Sequence, residues 1–268
     1  MFADLLFLKN NKNVENSTSI IYNSISFLTR WNMKRLLSKA RAAVEKYNMI
    51  EENDRIAVGV SGGKDSVALL VALAEMRRFY PKKFEVVAIT LDYQFNNADG
   101  DFSEIEKLCE KLNVEYVIKK TNLYHVIFET RKETNPCSLC AKMRRGILHD
   151  TAKELGCNKI ALGHHLDDAA ETFIMNLFQG GTIGSFSPVS YLSKKDLTMI
   201  RPFVFIRESE ISSAVKRNSL PVVKSKCPAD KQTARQETKA LLEELDKKYP
   251  GIHEKIVGAM EKSHTDKW

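Results

Sequence analysis

Short apolar runs alternate along this chain with stretches whose apolar residues recur at helical spacing. Arg55–Val60 is a β-branched run of strand length, and a helix is expected after it from about Asp65 to Phe79. Phe84–Leu91 reads as a second strand. Asp101–Leu112 reads as a helix, with Ile105, Leu108, Cys109 and Leu112 on one face. Glu115–Ile118 is a third strand, Ser138–Leu155 a long helix and Lys159–Leu162 a fourth strand. Asp167–Phe178 follows as a helix stopped by Gly180-Gly181, and a last strand lies near Leu197–Arg201, before Pro202. Beyond Arg207 the pattern is helical only. Such alternation predicts an α/β fold, a parallel sheet with helices on both faces and a helical C-terminal extension. Residues 1–32 differ. Asn10 to Ser26 is rich in Asn and Ser without either period and reads as a mobile extension. The expected organisation is therefore an extension over 1–32, an α/β domain over 33–206 and a helical region over 207–268.

The composition adds bounds. At 268 residues, with 43% hydrophobic and 28% charged positions, the chain suits one globular domain with small appendages. No apolar run approaches a membrane span, and the start has no basic secretory n-region. Forty-one Lys and Arg against 34 Asp and Glu leave a net charge of +7, which fits a polyanionic partner without requiring one. Five cysteines, an odd number, point to a reducing, cytoplasmic setting in which thiols serve metals or catalysis.

The most specific chemistry follows the first strand, in Ser61-Gly62-Gly63-Lys64-Asp65-Ser66. Two glycines permit a tight turn that aims backbone N–H groups at one point, and the helix N-terminus adds partial positive charge. Two hydroxyls and the Lys64 ammonium complete a cradle for phosphate. This is not a Walker A loop, which needs Gly where Val58 stands and Ser or Thr where Asp65 stands.

A second signature, Gly163-His164-His165-Leu166-Asp167-Asp168-Ala-Ala-Glu171-Thr172, lies at the end of the fourth strand, where α/β sheets bind ligands. Asp168 is a candidate for Mg²⁺ binding or proton transfer, and Gly163 for close approach to a nucleotide. A third segment, Pro136-Cys137-Ser-Leu-Cys140, places two sulfurs for one metal at a helix start. Cys227 stands alone in Lys224-Ser-Lys-Cys-Pro. Three thiols without a fourth leave three readings open: a structural zinc completed by His or Asp, a [4Fe–4S] cluster with one open iron, or a redox pair. Cys109 and Cys157 read as core or turn residues.

Taken in order, these motifs resemble the tRNA 2-thiocytidine synthetase family of PP-loop N-type ATP pyrophosphatases, whose relatives include the iron–sulfur 2-thiouridine synthetases. The resemblance spans roughly Met33 to Leu245. It departs in lacking the relatives' terminal zinc-finger cysteines and in having Pro228-Ala229-Asp230 after Cys227. It implies an ATP-dependent tRNA sulfurtransferase with the adenine nucleotide alpha hydrolase-like fold. In such an enzyme ATP adenylates a pyrimidine C2 oxygen, most simply of an anticodon-loop cytidine, and sulfur replaces it. It implies that Ser61, Gly62, Gly63, Lys64, Asp65 and Ser66 hold phosphate, with Lys64, Asp65 and Asp168 in catalytic roles. Gly59, Leu91, Arg144 and Gly163 would approach ATP, and Cys137, Cys140 and Cys227 would carry a [4Fe–4S] cluster.

The implied partners are ATP, Mg²⁺, tRNA and a sulfur donor, either a cysteine desulfurase or sulfide. There is no membrane partner, and a homodimer is allowed. Lys142, Arg145, Lys194, Lys195, Lys224 and Lys226 are candidate RNA-backbone contacts. Two alternatives lack this chemistry. A zinc-stabilised RNA-binding protein would not need an intact phosphate loop. A lysidine-forming or amidating relative would not need the three cysteines.

Overall fold

The computed structural model describes residues 33–95, 98–130, 136–223, 227 and 234–268. The N-terminal extension expected over 1–32 lies outside them. A helix over residues 33–46, α1, buries Leu36, Leu37, Ala40, Ala43 and Val44 at spacings of one to four residues along one side. β1 (Asp54–Gly59) leads into α2 (Lys64–Met76), and β2 (Phe84–Asp92) into α3 (Ser103–Leu112). β3 (Glu115–Lys120) is followed by a π-helical stretch, His125–Thr130, and by the long helix α4 (Pro136–Glu154). β4 (Lys159–Ala161), α5 (Leu166–Gly180), β5 (Val189–Leu192) and β6 (Leu197–Ile200) come next. Helices α6 (Glu208–Arg217), α7 (Ala234–Lys248) and α8 (Ile252–Lys262) complete the order. Residues Leu36–Trp268 form one unit by their contacts.

Six strands form one sheet in the order β3-β2-β1-β4-β6-β5. β1 pairs in parallel with β2 and β4, β2 with β3, and β4 with β6. The all-parallel expectation needs one correction. β5 pairs antiparallel with β6, Leu192 facing Leu197 across a short turn, and forms the edge. Four residues with no run of apolar side chains carry too little periodicity to predict that strand. The π-helical stretch was likewise unannounced by the sequence.

The central strands are apolar on both faces because helices cover both. Ala57, Val87, Ile89 and Ile160 pack with Leu148 and Ala152 of α4. The alternate residues Ile56, Val58, Val86 and Ala88 are also buried. α2 is buried almost all round, from Ser66 to Ala74, so its N-terminus is fixed by core packing. α5 packs through Ala170 and Ile174 against Leu242 of α7, with Ile252 and Ile256 of α8 alongside. Strand order reverses at β1, from which β2 and β3 extend toward one edge and β4, β6 and β5 toward the other. A crevice at the carboxyl ends of β1 and β4 is therefore the expected ligand position.

Candidate active site

The loop from β1 to α2 sits in that crevice. Gly62 adopts φ +84°, and a Cβ there would stand 2.9 Å from Cβ of Val223, so glycine is required both for conformation and for space. The Val223 amide donates to the Gly62 carbonyl at 2.9 Å, which pins the turn. The Ser61 amide donates to Ser66 Oγ at 3.2 Å, and Ser66 Oγ donates to the Gly63 carbonyl at 2.9 Å. Gly63 occupies the N-cap of α2, and no side chain caps it. The first amides of α2 thus lack intrahelical partners and meet the positive end of the helix dipole, the arrangement that binds an anion.

Gly163 explains how the second signature reaches this loop. A Cβ on it would lie 3.0 Å from the Asp65 carbonyl carbon and 3.2 Å from the Ser66 nitrogen. The missing side chain lets the β4–α5 turn rest on the backbone of α2. Gly59, in contrast, faces Leu148 at 3.1 Å, so its small size makes room for α4.

The two Asp residues divide the work. Asp167 accepts from Arg207 Nε at 2.9 Å and from the Glu208 amide at 2.7 Å, joining α5 to α6. Burial alone would raise its pKa, but His165, the Glu208 amide and Arg207 hold it well below the carboxylate range. Asp168 faces the cleft. Its Oδ2 accepts from the His165 amide at 3.0 Å and its Oδ1 from Arg235 of α7 at 2.9 Å. Both oxygens of Asp168 are engaged, whereas the buried Oδ1 of Asp65 accepts no hydrogen bond among the described residues. His165 Nε2 stands 4.0 Å from it, and with no hydrogen bond to satisfy it this oxygen fits a Mg²⁺ ligand better than Asp168 does. His164 is packed against Phe186, accepts from Arg201 Nε at 3.2 Å and is pushed down to about 4, chiefly by burial. It reads as a neutral packing residue.

Lys64 bridges Glu208 Oε1 at 2.8 Å and Asp65 Oδ2 at 3.0 Å. Burial would lower its pKa, but these two carboxylates outweigh burial and raise it, so the ammonium stays charged. Glu208 also pairs with Lys239 of α7 at 2.5 Å. Burial would raise Glu208; Lys239 and Lys64 bring it down to about 2. Sequence reasoning missed Glu208, Arg235 and Lys239, because their helices read as surface elements. Their nearness to the phosphate loop is set by tertiary packing.

One cleft of about 1370 Å³ takes in the ends of both signatures and all three candidate ligands. Ser61, Gly63, Asp65, Leu91 and Asp168 line it, and so do Arg144, Cys137, Cys140 and Cys227. Gly59, Gly62, Lys64, Ser66 and Gly163 are not among the residues that line it. Cys137 is exposed, and Cys140 and Cys227 are half-buried. Burial pushes the Cys140 thiol up, Arg144 opposes this, and the nearby thiols of Cys227 and Cys137 add to the rise. Among the described residues, no three His, Cys, Asp or Glu side chains already meet at the spacing for a single metal ion. The three thiols thus share the cleft without being gathered into a metal-spaced cluster.

Of the candidate RNA contacts, Lys195 pairs with Asp150 and Arg145 donates to the Ala141 carbonyl at 3.1 Å. Lys142 and Lys194 are exposed. Lys224 and Lys226 lie outside the described residues.

Glu171, one turn after Asp168, also lines the cleft and is 4% exposed. Burial and then Asp168 raise its carboxyl to about 7, against the pull of Arg235 and Lys239. The folded state therefore holds this proton more tightly than the unfolded chain. The stabilisation is complete below the ordinary value of 4.5 and is lost as pH rises through about 7. Glu171→Gln is expected to be near neutral in melting temperature at pH 5 and to raise it at pH 8. The gain should be several degrees, at roughly 2–4 °C per kcal/mol for a chain of this size. Thermal melts of both proteins at the two pH values check this.

A parallel sheet with an uncapped, glycine-turned helix N-terminus at its switch point defines a nucleotide-binding protein of the PP-loop type. The sequence profile described as the PP-loop domain matches residues 33–244. The tRNA-cytidine(32) 2-sulfurtransferase of Geobacter sulfurreducens is 37% identical over 241 residues, covering 88% of this chain and 92% of that protein. The protein of the same name from Psychromonas ingrahamii is 39% identical, covering 85% and 74%. Among solved structures, the U34-tRNA thiolase NcsA from Methanococcus maripaludis, with its [4Fe–4S] cluster, aligns with a TM-score of 0.70 and 26% identity. That alignment covers 87% of this chain and 79% of the thiolase. The chain belongs to the PP-loop family and, within it, to the tRNA 2-thiocytidine synthetases, a family of ATP-dependent tRNA sulfurtransferases. No helix among the described residues is long and apolar enough to cross a membrane.

Proposed function

We propose that this chain converts a cytidine of the tRNA anticodon loop, the position 32 named in its relatives, to 2-thiocytidine. The observation that carries the reading is the shared cleft: phosphate loop and three thiols open onto one space. The C2 oxygen attacks the α-phosphorus of ATP and pyrophosphate leaves. Sulfur then replaces the adenylated oxygen, which departs in AMP. With sulfide as donor the exchange is redox-neutral; persulfide sulfur from a cysteine desulfurase would first have to be reduced to the sulfide level by two electrons from a thiol reductant.

The residues have distinct tasks. The α2 amides, Ser61 and Ser66 hold the phosphates, and Lys64 neutralises charge as pyrophosphate departs. Asp65 would hold Mg²⁺ through Oδ1, which accepts no hydrogen bond. Arg235 and His165 fix Asp168 toward the cleft, where it can take or return a proton. Cys137, Cys140 and Cys227 would hold a [4Fe–4S] cluster, which when bound supplies an iron open to a sulfur ligand. Arg144, beside Cys140, keeps positive charge near the thiolates and the incoming phosphate.

The test is mass spectrometry of tRNA nucleosides from a strain lacking the gene. The expected result is loss of 2-thiocytidine, restored by the wild-type gene. Loss of 2-thiouridine alone would move the substrate to uridine, and an unchanged thionucleoside profile would overturn the reading.

A further inference from the structure

Four aromatic rings run in unbroken contact along the cleft's β2 side. Tyr93 meets Phe95 at 5.5 Å between centroids, Phe95 meets Tyr124 at 5.7 Å, and Tyr124 meets Phe128 at 5.4 Å. Tyr93, Phe95 and Phe128 line the cleft, and all four rings are only half-buried. A small apolar cluster under a loop would bury its rings; Tyr93, Phe95 and Phe128 stay open to the cavity. The outer end of the row, Phe128, sits on the π-helical stretch His125–Thr130. A π-turn is uncommon and is found mostly at functional sites. The other end, Tyr93, lines the cleft together with Arg144, Cys140 and Cys227. Lys111 of α3 lines the same cleft and can meet a phosphate.

We propose that this row is the stacking platform for unpaired RNA bases, leading the target pyrimidine from the cleft mouth to the thiols. The proposal rests on the thiolation reading and deepens it. A loop base leaves its own stack to reach a buried site. Aromatic faces replace that stacking without reading sequence. The row opens onto the same cleft as the three cysteines, the space in which the carbon that exchanges oxygen for sulfur would sit. Tyr93 and Arg144 then mark the point where stacking gives way to polar contact with the base.

The test compares wild type with Phe128→Leu, which keeps apolar volume, and Phe128→Trp, which keeps a ring. Binding of a fluorescent tRNA anticodon stem-loop is measured by polarisation, independently of turnover. Loss of one stacked base should weaken stem-loop binding by Phe128→Leu about 5- to 100-fold. KM for tRNA should rise in step, and KM for ATP should stay unchanged. Phe128→Trp should bind as wild type does. Its added fluorescence should be quenched by the stem-loop but not by a fully paired duplex of equal length. Unchanged stem-loop binding by Phe128→Leu would overturn the platform, as would a loss that appears in KM for ATP, since the rings would then serve adenine. A wild-type enzyme that binds the stem-loop but forms no thiocytidine would refute the thiolation reading, with the platform still decided by the binding of the leucine variant.

Discussion

Serine in place of any one of Cys137, Cys140 and Cys227 is expected to abolish tRNA thiolation while leaving ATP affinity unchanged. Serine keeps the side-chain volume close to that of cysteine but offers a hard, protonated oxygen where iron prefers thiolate. The phosphate loop is held by other bonds: Ser61 to Ser66, Gly62 to Val223 and Lys64 to Glu208. Nucleotide binding should therefore survive. Anaerobically purified wild-type protein is expected to contain iron and acid-labile sulfide, and each variant to lose both. Cys109→Ser and Cys157→Ser are the controls. Both thiols are buried in apolar packing, and burial pushes Cys109 up to about 12. Their replacement should cost some stability but retain iron and turnover. A Cys227→Ser protein that kept its iron and its activity would exclude the three-cysteine arrangement.

What could be read in the sequence was local. Val58, Gly62 and Lys64 announce strand, turn and phosphate site within seven residues, and the fold places them in that order. Gly163 was read as a point of approach for a nucleotide, whereas the neighbour the fold gives it is the backbone of Asp65 and Ser66. The cysteines could be listed but not located. α4 buries only Leu148, Thr151 and Ala152, so its first half carries Cys137 and Cys140 clear of the core toward the cleft. What remained hidden depends on contacts between residues far apart in the chain. Glu208 is separated from Lys64 by 144 positions and sits in the first turn of α6, where an acid reads as an ordinary helix start. Arg235 and Lys239 lie on a helix of mixed charge, the pattern of a solvated face. Only the packing of α7 on α5 turns them inward. The aromatic row was invisible for the same reason, since Tyr93 and Phe128 come from different elements.

Removing the Lys64 ammonium is the second large effect expected. Lys64→Ala should lower kcat for thiolation by about 10²–10³-fold, the range seen when one group stabilising developing charge is lost. Pyrophosphate release, measured in the presence of tRNA, should fall by the same factor, because the loss precedes sulfur delivery. Lys64→Arg is not expected to restore the rate. The planar guanidinium is larger, and the space is already bounded by Glu208 and Asp65 at 2.8 and 3.0 Å. The fold should tolerate the alanine. Glu208 keeps Lys239 at 2.5 Å and its own backbone bond to Asp167, while Asp65, whose side chain is 30% exposed, loses its close cation but keeps His165 Nε2 at 4.0 Å from its Oδ1. An unchanged melting temperature with lost pyrophosphate release would place the lysine in the chemistry of ATP cleavage. Lost thiolation with undiminished pyrophosphate release would place it after that step and contradict its assignment to the phosphates.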